Sequence, residues 1–114
     1  MIKLIYEQMF IYKRCKCTKN SITPSFNEDI ISLSKILSLI SVESRLKILL
    51  ILQEKPHCVC DLITHTNLSQ SLISHHLADL TKANLIISKR TGKYVDYLLT
   101  NKGKKIIKIL KIIN

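Results

Sequence analysis

Apolar residues recur at intervals of three and four along the first half of the chain, which is the spacing of one face of an α-helix. A first helix is predicted from Asn27 to Ile40, with Asn27 as the N-cap and two acidic residues in the first turn. A second helix is predicted over residues 45–54, after a break and a new cap at residues 41–44. It ends before Pro56, because the residue before a proline is disfavoured in the α region.

Two shorter helices joined by a tight turn come next. The third is predicted to begin at Cys58 and to end near Thr66, with few apolar residues. The fourth follows Ser69, which is an N-cap by type and position, and it carries a clear apolar stripe. The tight turn at residues 67–68 makes this pair a helix-turn-helix.

The hydrophobic period changes from helical to alternating after residue 84. Residues 87–98 are predicted to form a hairpin that turns at Thr91-Gly92. A last helix follows Asn101, with isoleucine and leucine on one face and lysine on the other. The order α-α-α-α-β-β-α predicts a mainly α fold with a small β-hairpin, a winged helix-turn-helix.

The first 24 residues show no sustained period and crowd basic side chains. They are predicted to be a mobile basic arm, and residues 25–114 to be the DNA-binding and dimerisation domain. The apolar faces of the first and last helices are too large for a small monomer to leave in water, so a homodimer is expected.

The net charge of the 114-residue chain is +10, which favours a polyanionic partner such as nucleic acid. No apolar stretch approaches the roughly 20 residues that a bilayer span needs, and the N-terminus is a poor signal peptide, so a cytoplasmic protein is expected. An amphipathic last helix leaves a membrane-surface protein as another class, which the helix-turn-helix disfavours. Two glycines cannot build a glycine-rich phosphate loop, and no acid–base pair stands out, so an enzyme is not expected.

Short hydrogen-bonding side chains occupy the exposed face of the fourth helix near its start. Such residues can read base edges when a recognition helix enters the major groove. Two cations at the hairpin tip are suited to phosphates or the minor groove. The predicted DNA contacts are Ser69, Gln70, Ser71, Ser74, His75, Arg90 and Lys93.

From Leu33 to Gly103 the chain resembles the ArsR/SmtB family of metal-sensing repressors. The most specific motifs are the Cys-Val-Cys-Asp-Leu run at residues 58–62 and the Ser-Gln-Ser-Leu-Ile-Ser-His-His-Leu run at residues 69–77. Residues 44–49 and 83–97 also carry the resemblance. It implies a winged-helix homodimer that joins through its first and last helices and binds double-stranded operator DNA until a metal weakens that binding.

The resemblance also implies which residues hold the ion. Thiolates are expected at Cys58 and Cys60, while Ile63 occupies the position where arsenic sensors add a third cysteine. The cadmium and lead branch adds cysteines from the N-terminal arm, a role open to Cys15 and Cys17. The family's other site, on the last helix, is absent because residues 101–114 contain no Asp, His or Glu.

Thiolates suit soft or borderline ions, namely Cd²⁺, Pb²⁺, Zn²⁺ or As(III), and no organic cofactor is expected. Residues two apart on a helix point about 200° apart. Cys58 and Cys60 can therefore share an ion only if Cys58 lies at the frayed start of the helix. A redox switch at the cysteines, or a regulator without a signal, remains the alternative.

Overall fold

The computed structural model describes residues 24–113, and side chains from Glu28 onwards. The chain divides into two compact units between Ser32 and Leu33. The packing of the second unit is described for residues 33–113. The elements in chain order are α1 (Pro24–Ile40), α2 (Glu43–Glu54), β1 (His57–Cys58), α3 (Val59–Thr66), α4 (Gln70–Lys82), β2 (Ile86–Thr91), β3 (Tyr94–Leu99) and α5 (Asn101–Ile113). This order confirms the predicted winged helix-turn-helix and adds one strand.

The added strand, β1, pairs with the wing. The sheet order is β1-β3-β2, and both pairings are antiparallel. His57 lies opposite Tyr97 and Cys58 opposite Asp96. A two-residue strand is too short to show an alternating pattern, so sequence reasoning assigned Cys58 to the following helix.

The hairpin turns one residue later than predicted. Thr91 pairs with Tyr94, so Gly92 and Lys93 form the loop instead of Thr91-Gly92. Gly92 has a φ of +64°, a conformation that glycine adopts without steric cost. The need for a positive φ at the start of a two-residue loop fixes the register.

Two predicted helix starts are wrong. Helix α1 begins at Pro24, so Asn27 lies inside the helix and is not its N-cap; proline is favoured in a first turn because its missing N–H has no partner there. Helix α2 begins at Glu43 after Val42, whose side chain makes no capping bond. Ser44, in the segment predicted to provide the cap, instead contacts the ring of His76.

The core lies where α2, α3, α4, the wing and α5 meet. It is built almost entirely from leucine and isoleucine: Ile40, Ile48, Leu49, Leu52, Leu62, Ile73, Leu77, Leu80, Leu85, Ile86, Leu99 and Ile107. Gly103 lets α5 approach Leu85, the residue before β2, because a Cβ at position 103 would overlap the Leu85 carbonyl. Among the described residues, no buried side-chain nitrogen or oxygen lacks a hydrogen-bond partner.

Helices α3 and α4 are joined by a tight, well-bonded turn. Asn67 ends α3 in the left-handed conformation, with a φ of 58°, and its N–H donates to the Ile63 carbonyl. Ser69 caps α4 as predicted, since its Oγ accepts from the Leu72 N–H at 3.1 Å. The two caps fix the angle at which α4 leaves the turn.

Candidate DNA-binding surface and cysteine site

The first turns of α4 present a polar surface. Gln70, Ser71, Ser74 and His75 are all exposed, as their predicted role requires. Ser69 is exposed too, but its oxygen is already engaged in capping. Gln70 is the first residue of the helix. Its amide can donate and accept at the same time, as bidentate pairing with an adenine edge requires.

The two adjacent histidines of α4 have different environments. His75 is exposed, with its Nε2 3.4 Å from Asp79 Oδ2. His76 is only 4% exposed and points into the protein. Burial lowers the pKa of His76, and the neighbouring Arg45 guanidinium lowers it further. His76 therefore packs inside the domain, and only His75 remains available to a partner.

Arg45 connects α4 to two other helices. Its Nε donates to His76 Nδ1 at 3.1 Å, and its Nη2 donates to Asp79 Oδ2 at 2.7 Å. Its Nη1 donates to the Leu39 carbonyl of α1 at 3.3 Å. Sequence reasoning missed this cluster. Arg45 is one cation in a helix of ordinary composition, and no periodicity reveals a partner more than 30 positions away.

The wing carries its cations at the loop end. Arg90 and Lys93 are exposed on either side of Gly92, as predicted. Tyr94 follows the loop with 64% of its surface exposed, a large aromatic side chain that the prediction did not include. A tyrosine hydroxyl can also contact a phosphate.

The two cysteines of the Cys-Val-Cys motif lie on either side of the start of α3. Cys58 is the N-cap, in extended conformation with φ −87° and ψ 170°, and Cys60 is the second residue of the helix. This placement meets the requirement that Cys58 lie outside the regular helix. Cys58 Sγ donates to Asp61 Oδ2 at 3.3 Å, and that hydrogen bond lowers the pKa of the Asp61 carboxyl.

The described residues include only two of the predicted ion ligands. Cys58 is half-buried and Cys60 exposed, so both thiols can be reached. Within residues 24–113, however, no three His, Cys, Asp or Glu side chains are grouped to hold a metal ion. Cys15 and Cys17, the other predicted ligands, lie outside the described residues. The donor set at Cys58 and Cys60 suits a thiophilic ion but needs at least one further ligand.

An apolar groove runs between α1, α2 and α5. It has a volume of about 690 Å³ and is lined chiefly by Leu37, Ile40, Leu46, Leu50, Ile107 and Leu110. Beyond it, Ile109, Ile112 and Ile113 of α5 are 59%, 79% and 77% exposed. Contiguous exposed apolar surface is typical of interaction sites. No helix among residues 24–113 has both the length and the apolar character of a membrane span.

Comparison with known proteins places these features in a family. The model of the "Bacterial regulatory protein, arsR family" matches residues 43–88, from α2 to the wing. The arsenical resistance operon repressor of Staphylococcus aureus is 39% identical over 72% of this chain and 80% of its own length. The cadmium resistance transcriptional regulatory protein CadC of Listeria innocua is 37% identical over 75% of this chain and 69% of its own.

The chain does not span every relative equally. It is 40% identical to the arsenical resistance operon repressor of Escherichia coli over 58% of this chain, but that match covers only 57% of the relative.

Solved structures share the fold. Reduced HlyU from Vibrio cholerae superposes with a TM-score of 0.71 and 27% identity, covering 80% of this chain and 97% of HlyU. A homodimeric winged helix-turn-helix DNA-binding domain from Mycobacterium bovis has a TM-score of 0.71 over 81% of this chain and 86% of that domain; at 16% identity it shows the fold alone. The relatives are transcriptional regulators, which confirms the prediction that the chain is not an enzyme. The chain belongs to the arsR family of bacterial regulatory proteins.

Proposed function

We propose that the protein is a homodimeric transcriptional repressor that a thiophilic metal or metalloid ion, bound at cysteines, releases from its operator. The observation that carries this proposal is the position of Cys58. It caps α3, the helix that precedes the proposed recognition helix, and it lies opposite Asp96 in the strand that forms the wing. One residue thus belongs both to the candidate ion site and to the support of the candidate DNA surface.

DNA recognition is assigned to α4 and the wing. Gln70, Ser71, Ser74 and His75 face solvent from one helix end, with Ser69 at the cap. Arg90 and Lys93 extend from the hairpin, which follows α4 after a three-residue connection. In this arrangement the helix contacts base edges and the wing contacts phosphates, so the helix supplies specificity and the wing supplies affinity.

Dimerisation is assigned to the apolar groove and the exposed face of α5. Leu37 and Leu50 are 59% and 44% exposed, although both line the groove. A second copy of the same surface would cover them, as a two-fold interface requires.

The ion site is proposed at Cys58 and Cys60, completed by Cys15 and Cys17 of the N-terminal arm, residues 1–24. The arm and the domain of residues 25–114 stay predictions, because residues 1–23 lie outside the described part of the chain. Relatives named for arsenical and cadmium resistance support a thiophilic effector. Cd²⁺, Pb²⁺, Zn²⁺ and As(III) remain the candidates.

Two routes lead from the cysteines to the DNA surface. Drawing Cys58 towards an ion disturbs the start of α3, whose Leu62 is fully buried in the core with residues of α4. It also disturbs the pairing of Cys58 with Asp96, whose carboxylate accepts a hydrogen bond from Thr91 Oγ1 beside the wing loop at 3.1 Å. By linkage, the ion weakens DNA binding only as much as DNA weakens ion binding, typically ~1–3 kcal/mol.

The test is operator binding titrated with each candidate ion under reducing conditions. The Cys58→Ser/Cys60→Ser variant is expected to bind the operator but not to be released. Cys15→Ser/Cys17→Ser is expected to lower the affinity for Cd²⁺ while leaving DNA binding of the ion-free protein unchanged. A parallel titration with an oxidant and no metal separates an ion switch from a redox switch. Ion-induced release of the Cys58→Ser/Cys60→Ser variant equal to wild type would remove these cysteines from the mechanism.

A further inference from the structure

Arg45 is the one described side chain whose hydrogen bonds reach both α1 and α4 from α2. Its three donors are spread around a planar fork, and each finds a different acceptor: a ring nitrogen, a carboxylate oxygen and a backbone carbonyl. The side chain is 15% exposed and its partner Asp79 is 27% exposed, so the ion pair is partly shielded from water. A cation held in this way fixes where α4 lies relative to α1.

The contact with Arg45 also determines the protonation state of His76. A guanidinium can only donate, so His76 Nδ1 must accept and therefore carries no proton. The proton of the neutral ring is then on Nε2, which lies 2.8 Å from Ser44 Oγ and donates to it. A second proton would have to be placed on Nδ1, directly against the Arg45 N–H.

We propose that Arg45 is a positioning residue for DNA recognition, which holds the recognition helix α4 at a fixed orientation to α1 and requires an unprotonated His76 ring to do so. The proposal rests on operator binding by α4. It assigns no DNA contact to Arg45 or His76, since both act through the helix that carries Gln70. Because α1 lines the groove assigned to dimerisation, the same guanidinium connects the proposed dimer interface to the recognition helix.

The pH dependence follows from the groups that act on His76. These are Arg45 from α2, and His75 and Asp79 from α4 itself. Protonation of His76 puts a cation beside Arg45 and removes the acceptor of Arg45 Nε. The Asp79 carboxylate favours the protonated His76 ring, but this carboxylate is already paired with Arg45 and lies near His75. Acid is therefore expected to loosen the contact between α2 and α4.

The first experiment uses Arg45→Lys, which keeps the net charge and so leaves the non-specific electrostatic attraction to DNA unchanged. One ammonium cannot contact all three acceptors of the fork. We expect the ratio of operator affinity to random-sequence affinity to fall about tenfold, which is ~1.4 kcal/mol, with random-sequence affinity within about twofold of wild type. Thermal unfolding under the same conditions gives the folded fraction. Lys47→Arg, at an exposed position on α2 whose ion-pair partner among the described residues is Glu43, is the matched control.

The second experiment measures the same ratio from about pH 8 to about pH 5.5. In wild type the ratio is expected to fall in acid. His76→Gln has an acceptor and a donor but cannot take up a proton, so its ratio should fall less in acid than that of wild type. His65→Gln, which removes an exposed imidazole of α3 outside the proposed DNA surface, should keep the wild-type profile. If His76→Gln does not fold, the ¹⁵N chemical shifts of the wild-type ring report its tautomer, and the Nε2–H form is expected.

Three results would overturn the proposal. One is an unchanged affinity ratio in folded Arg45→Lys, or a loss fully explained by the unfolded fraction. Another is a wild-type pH profile in His76→Gln. The third is an Nδ1–H tautomer in the wild-type protein. If wild type itself does not prefer operator over random DNA at about pH 8, operator binding fails, and that outcome is distinct from a failure of Arg45 alone.

Discussion

The wing offers a prediction whose size can be worked out from charge alone. Arg90 and Lys93 lie beside the loop of a hairpin and are exposed, with no ion pair to any described residue. If each neutralises one phosphate, each contributes about 0.9 to the slope of log affinity against log salt. A dimer with two bound wings has four such contacts, so Arg90→Ala/Lys93→Ala should flatten the slope by about 3.6.

The consequence is large enough to measure easily. Over a fourfold rise in salt, from about 50 to about 200 mM, one phosphate contact changes the affinity by about 3.5-fold. Four contacts change it by about 150-fold, so the affinity of wild type should fall about 150-fold more than that of the variant. Fluorescence anisotropy with labelled operator and with random DNA gives both slopes. The flattening should be the same for the two sequences, because phosphates carry no sequence information.

Two controls separate the wing from charge in general. Lys47→Ala/Lys108→Ala removes the same charge from exposed positions on α2 and α5. It should leave the slope nearly unchanged. Gln70→Ala should lower operator affinity by about 1–3 kcal/mol without changing the slope. Equal slopes for wild type and the wing variant would refute the assignment, and a flattening of only about 1.8 would mean that one wing binds per complex.

Three further predictions concern the dimer and the domain. Leu110→Glu places a charge in the apolar groove and should shift the protein from dimer to monomer at micromolar concentration; sedimentation velocity measures this, and an unchanged dimer would exclude the groove. Gly103→Ala should lower the free energy of unfolding by more than the ~0.5 kcal/mol typical of surface substitutions, because its Cβ would overlap the Leu85 carbonyl. Chemical denaturation measures this change, and a neutral effect would mean that α5 can shift. The pKa of His76 is lowered in the folded protein, so the stabilising contribution of the neutral ring is present above the unfolded pKa of about 6.5 and is lost as the pH falls. The free energy of unfolding of His76→Gln should therefore fall less than that of wild type between about pH 7 and pH 5. Parallel curves of unfolding free energy against pH would assign the loss to another group.

Helices and strands in which many residues follow one hydrophobic periodicity could be predicted from the sequence. Helix α4 has a strong apolar stripe and a serine cap, and both its type and its start agree with the structure. The hairpin has alternating residues and a glycine, so its existence was clear, although its loop was placed one residue early. A positive φ at Gly92 decides the register, and a glycine at the first position of a two-residue loop is the sequence cue for it.

Helix starts that are marked by a single capping residue are harder to predict from the sequence. Asn27 and Ser44 are both good N-caps by composition, and neither caps a helix. Ser44 does contact the ring of His76, so its hydroxyl is used in a long-range hydrogen bond. A local propensity of about 1 kcal/mol cannot decide a start when tertiary contacts compete for the same side chain.

The candidate site also depends on contacts between residues that are far apart in the sequence. The sequence predicts that the polar side chains at the start of α4 and beside the wing loop are exposed, but it does not predict the exposure of Tyr94. It could not predict that Cys58 pairs with the wing strand, because a register between residues 58 and 96 depends on the whole sheet.

The pairing of Cys58 with the wing strand changes the expected effect of ion binding on the DNA surface. An ion acting through α3 alone would alter how the recognition helix fits the major groove, and specificity would fall. An ion that separates β1 from β3 would also free the wing, so affinity for all sequences would fall and the salt slope would flatten. The salt slope of the ion-bound protein, compared with that of Arg90→Ala/Lys93→Ala, therefore distinguishes a switch acting through the recognition helix from one acting through the wing.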